Sequence, residues 1–179
     1  CTLVSFFHGK NDGQKGIGLV MLILIGILPS YYAITNVEGL KKIGPDLAKI
    51  ENIVSGIDTT HLGIDEKSHI LSIQENLNIL IPVSQGISAD TSERLHLRAA
   101  ILQIATNSNK LLNDESVVMS TKDREDLAQL ATKEEKGIRT AIDFAPFWVI
   151  LMISLSLGLG TMIGWKRIVV TVGEKIGKS

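Results

Sequence analysis

The sequence predicts an all-α fold: a membrane protein fragment with two transmembrane helices, the first discontinuous, flanking a soluble helical-bundle insertion. Three observations predict it. The 179 residues are 45% hydrophobic yet 21% charged, with a formal net charge of −1. The charge is uneven: Tyr31–Ala141 holds 12 Lys+Arg and 16 Asp+Glu, so both ends are mostly apolar. Within that middle, apolar residues recur at three- and four-residue spacing, and no segment sustains the strict alternation of a strand. The length suits one ordinary soluble domain, but the apolar ends exclude a uniformly soluble globule. Because the chain begins at Cys1, an internal piece of a longer protein is expected.

Composition excludes other classes. One cysteine permits no internal disulfide and no thiolate metal cluster. The near-zero net charge and the concentration of aromatics in the apolar ends argue against nucleic-acid binding. No repeat of 20–50 residues is visible, and no metal site is expected.

The first element, 1–30, is a broken transmembrane helix. Gly16–Leu28 is apolar over 13 residues, about 20 Å of helix and too short to cross alone. A second apolar piece, Leu3–Phe7, lies upstream, and the polar run HGKNDGQK, His8–Lys15, separates the two. Polar backbone at membrane depth is tolerated where it lines a cavity or is buried in protein, the pattern of a discontinuous transmembrane helix.

The second element, 31–142, is a helical insertion. Val37, Leu40, Ile43, Leu47, Ile50 and Ile53 form one stripe, interrupted by Pro45. Ile70, Ile73, Leu77 and Leu80 form another, ending at Pro82. A third helix is expected after Asp90–Ser92, carrying Leu95, Ala99, Leu102 and Ala105. A fourth starts at Ser120, with Asp123 as capping partner, carries Leu127, Leu130, Ile138 and Ile142, and runs toward the next span.

The third element, 143–165, is a transmembrane helix. Ala145–Trp165 has 21 residues and no charge, about 31 Å of helix. Phe147, Trp148 and Trp165 stand as interfacial anchors at its ends. The fourth element, 166–179, is a basic segment holding Lys166, Arg167, Lys175 and Lys178 against Glu174. By the positive-inside rule it is cytoplasmic, which puts 31–142 on the extracytoplasmic side.

The densest set of functional groups is His8-Gly9-Lys10-Asn11-Asp12-Gly13-Gln14-Lys15-Gly16. The glycines let backbone leave helical geometry and approach a ligand. Amides freed at the start of a following helix suit an anion. Asp12 offers a carboxylate to a cation or proton, and Asn11 and Gln14 offer both carbonyl oxygens and amide hydrogens. An ionisable residue inside a membrane is a functional candidate because burying it is costly. The bland alternative is a cytoplasmic flank whose lysines merely set topology, and His8 beside Phe6 and Phe7 as an interfacial residue.

The stretch SFFHGKNDGQKGIGLVMLILIG resembles the PiT family of inorganic phosphate transporters, and its bacterial low-affinity permeases most closely. APFWVILMISLSLGLGTMIGWKRIVVTVGEKIGK looks like the same family's next membrane helix and the segment after it. The two matches stand in the family's order, and the middle resembles the variable insertion of bacterial members. The resemblance implies a secondary transporter in a bacterial inner membrane, multi-pass, with inverted repeats and broken helices. It implies symport of inorganic phosphate with a proton or sodium ion and no other cofactor. The family's Asn-Asp pair falls on Asn11 and Asp12, with Asp12 as cation or proton ligand and Asn11 in the same site. Ser5, His8, Gly9 and Gln14 are further lining candidates. Lys10 departs from the family, which has a small residue there: its charge either attracts phosphate or snorkels away. The implied partners are inorganic phosphate, the lipid bilayer and the transporter's remaining repeats, with a second copy of the chain as a candidate. Those repeats are expected outside this chain, so it is not expected to transport by itself.

The rival reading rests on architecture alone. Two membrane helices around a periplasmic four-helix ligand-binding domain is also the plan of a chemoreceptor or sensor. Against it, a receptor's first helix has no reason to carry Asn-Asp-Gly-Gln. An enzyme is not expected, since His61, His69 and His96 have no strong metal-ligand spacing.

Overall fold

The computed structural model describes residues 2–86, 93–133 and 136–176. Among them every regular element is helical, as expected. The chain divides into two compact units: Cys1–Leu24 with Ala145–Ser179, and Ile25–Phe144.

The first unit contains α7, Phe147–Ile176, and all but the last three residues of α1, Thr2–Ile27. The expected break in α1 is not there: the helix runs unbroken through His8–Gly16. Glycine inside a helix costs about 1 kcal/mol relative to alanine but keeps its N–H. Gly9, Gly13 and Gly16 all retain negative φ, and α1 contains no proline to force a kink. In α7, Phe147–Gly164 is long and apolar enough to cross a membrane. No second helix among the described residues meets that test. The cause in α1 is charge: every 18-residue stretch of it includes Lys10, Asp12 and Lys15.

The second unit is a bundle of α2, Pro29–Tyr32; α3, Val37–Ser55; α4, Ile64–Ser84; α5, Arg94–Asn113; and α6, Thr121–Leu127. A π turn, Ala128–Thr132, and a 3-10 turn, Gly137–Ala141, complete it. Asn36 caps α3 by accepting from the Gly39 N–H at 2.9 Å. Pro45 does not interrupt α3 but sits on its exposed side. One missing hydrogen bond there is outweighed by burial of Ile43, Leu47 and Ile50. Likewise α4 continues past Pro82 to Ser84 and ends where Gly86 takes φ of 100°.

The core is built from Ile43, Leu47 and Ile50 of α3, Ile73, Leu77 and Leu80 of α4, and Ile101, Ile104 and Leu111 of α5. The stripe expected on the third helix is corrected here. Leu95, Ala99 and Leu102 are exposed; Ala105 is buried as expected, together with Leu97, Ile101, Ile104, Ser108 and Leu111. Both sets have helical spacing, and the buried one carries two isoleucines and runs further along the helix. The expected start of that helix at Asp90–Ser92 lies outside the described residues.

The fourth helix begins as expected. The Ser120 hydroxyl accepts from the Asp123 N–H at 3.1 Å and donates to its carboxylate at 2.6 Å. It does not run on toward α7, however. It ends after Leu127, passes through the π turn, and reaches Gly137, whose φ is 68°. A side chain at Gly137 would meet the Leu130 carbonyl, so this turn requires glycine.

Arg98 of α5 draws the two ends of the bundle together. Its guanidinium donates to the Ala33 carbonyl at 3.0 Å and the Ile142 carbonyl at 2.8 Å. Beside it the Thr35 N–H donates to the Ala141 carbonyl at 2.8 Å. Partial burial lowers the Arg98 pKa, opposed by the nearby Asp143 charge. Arg124 closes the α5–α6 connection by donating to the carbonyls of Leu112 and Val117.

Candidate functional site

The site develops from the spacing of small residues along α1. Gly9, Gly13, Gly16 and Ile17 recur at helical intervals and so lie along one side. That side meets α7 closely, since a Cβ on Gly16 would stand 3.1 Å from Ile153 Cγ2. Beyond this contact the helices leave a cleft of about 720 Å³. Gly9, Lys10, Gly13, Gln14 and Ile17 of α1 line it, with Ser154, Leu157, Gly158 and Thr161 of α7. Apart from the backbone of its own helix and its chain neighbours, no heavy atom lies within 4 Å of where a Cβ would stand on Gly9, Gly13 or Gly158. The polar groups are therefore one ammonium, one carboxamide and two hydroxyls. The Thr161 hydroxyl is engaged within its own helix, at 3.0 Å from the Leu157 carbonyl and 2.8 Å from that of Gly158.

The predicted residues separate in space. Gly9 and Gln14 line the cleft, whereas Asn11 and Asp12 do not. Asn11 is exposed, and Asp12 is half-buried with its carboxylate 3.8 Å from the Lys15 ammonium. The side chains of Ser5 and His8 lie outside the described residues. Sequence reasoning missed Ser154 and Thr161. Both sit in an uncharged helix where hydroxyls alternate with large apolar residues, and only the packing of α7 on α1 sets them apart. Among the described residues no cluster of three metal-binding side chains occurs.

A family model described as the phosphate transporter family matches residues 1–179. The chain belongs to the phosphate transporter family. The chain is similar to the low-affinity inorganic phosphate transporter of Buchnera aphidicola from Acyrthosiphon pisum, at 35% identity over 98% of this chain and 38% of that protein. It is also similar to two low-affinity inorganic phosphate transporters of Escherichia coli K12. PitB is 33% identical and PitA 32%, each over 98% of this chain and 39% of the relative. The chain thus spans about two fifths of the length of these relatives. No solved structure matches. Membership implies a membrane protein, and the matched family and relatives are described as transporters, not enzymes. The sensor reading has no support from the match.

Proposed function

We propose that this chain is part of a secondary transporter that carries inorganic phosphate across a bacterial inner membrane in symport with a proton or sodium ion. The observation that carries the reading is the family match over the whole chain, joined by relatives named as inorganic phosphate transporters. In this reading α1 and α7 both span the bilayer. Of the charges that keep α1 from being uniformly apolar, that of Asp12 then belongs to the transport site, where ionisable groups are retained for function. Residues 31–142 form the extracytoplasmic insertion, and 166–179 lead into the cytoplasm. The transporter's remaining repeats complete the site.

Asp12 takes the coupling cation or proton, and Asn11 supplies a neighbouring amide. An anionic carboxylate beside a carboxamide is a donor set suited to a small hard cation. The test is Asp12→Asn in the full-length protein, expressed in a strain lacking other phosphate carriers. Phosphate uptake is expected to be abolished while the amount of protein in the membrane is unchanged. Undiminished uptake would sink the assignment.

A further inference from the structure

We propose that one end of the helical bundle, formed by α2 and the first turns of α5, is a lipid-contact surface. It is seated in the headgroup layer of the bilayer, with Tyr31 and Leu95 against lipid. This goes beyond the transport reading and rests on its placement of α1 in the membrane. Hydrogen bonds define which end this is. Arg98 of α5 donates to the carbonyls of Ala33 and Ile142, and the Thr35 N–H donates to that of Ala141. The start of α5 therefore lies where the chain enters and leaves the bundle. At the other end, Asp65 and His69 of α4 line one cavity with Lys110 and Asp114. Connectivity sets the distance to the bilayer. From Gly16 to Pro29 every residue is apolar, and α1 ends at Ile27, which is exposed. Tyr31 follows in α2, a helix of four residues that rises about 6 Å, comparable to the depth of one headgroup layer. It is 71% exposed, and an apolar ring with a polar tip suits that layer. A second observation lies on α5, against which α2 packs. Its outward face carries Leu95, Ala99 and Leu102, all exposed, and continues as Thr106 and Asn109. A helix surrounded by water keeps its outer face polar throughout. Here the face changes from apolar to polar with distance from the chain entry, as a surface leaving lipid for water does.

The experiment places single nitroxide labels on the full-length protein in phospholipid vesicles, in a background without other cysteines. Leu95→Cys, Ala99→Cys and Leu102→Cys sample the α5 face. Ile64→Cys and Val118→Cys sample the other end of the bundle, and Leu155→Cys the exposed side of α7. All six positions are exposed, and circular dichroism matching the parent shows that each labelled protein keeps its fold. Collision rates with oxygen, which partitions into lipid, and with a water-soluble nickel chelate report depth. Oxygen is expected to prevail at position 95. Its advantage is expected to fall through 99 to 102, over a rise of about 10 Å, and the chelate to prevail at 64 and 118. A label at 95 as open to the chelate as one at 118 overturns the inference, because this end then stands in water. Shielding of 95 from both reagents also overturns it, because protein rather than lipid then covers the face. A label at 155 that reports water overturns the membrane reading beneath instead.

Discussion

Lys10 and Asp12 are two residues apart, which on an α-helix places them about 200° apart around the axis. Adjacency in sequence therefore separates them in space, and the helix gives each charge its own surroundings. Asp12 approaches Lys15 one turn on, whereas Lys10 lines the cleft with Gln14. A carboxylate in the bundle illustrates how local geometry sets a charge. Asp114 accepts from the Ser116 hydroxyl at 2.6 Å and its N–H at 2.8 Å. These bonds hold its pKa below the ordinary carboxylate value. A depressed pKa in the folded state means that the contribution to stability is complete above the ordinary Asp value. It is lost as pH falls through the lower, folded value. The expected outcome is that wild type loses more stability than Asp114→Asn across this acidic window. Thermal melts of both proteins from about pH 5 to pH 2 check it. Identical pH slopes would contradict the role given to these hydrogen bonds.

At the scale of elements, caps and clamps determine where helices stop and how their ends are tied. Ser120→Ala removes the hydroxyl that opens α6 and is expected to cost about 1 kcal/mol, measured by denaturant unfolding. Arg98 spans more of the fold, because its two acceptors, Ala33 and Ile142, stand 109 residues apart in sequence. Arg98→Met is expected to destabilise the bundle by about 2 kcal/mol, because two carbonyls lose a charged donor in a partly solvated setting. The same denaturation experiment checks this, and an unchanged midpoint would show that solvent replaces the guanidinium without loss. Several element boundaries were not legible in the sequence. Prolines 45 and 82 signal breaks, yet both are tolerated because the helices containing them bury long apolar faces. The α5 register was ambiguous because two apolar stripes share the helical period, and neighbouring helices selected one of them.

At the scale of the molecule, the division into two units suggests a direct experiment. Expressed as residues 31–144, which keeps Ile142 for the Arg98 clamp, the middle is expected to be soluble and largely helical by circular dichroism, and a strand-dominated spectrum would refute the bundle. The sequence by itself determined the helical class, the apolar character of the end that becomes α7, and the identity of the polar run in α1. Each is a local property: periodicity, the absence of charge, or residue type. Family membership was legible as well, because it resides in the order of residues. Tertiary structure decided which polar residues share a surface. It kept α1 continuous where glycines suggested a break, turned Asn11 and Asp12 away from the cleft, and brought Ser154 of α7 to one cleft with Lys10 and Gln14 of α1. The physical reason is that residues more than a hundred positions apart meet only when helices pack. Local sequence sets which way each side chain leaves its helix, but not which neighbour that helix will face.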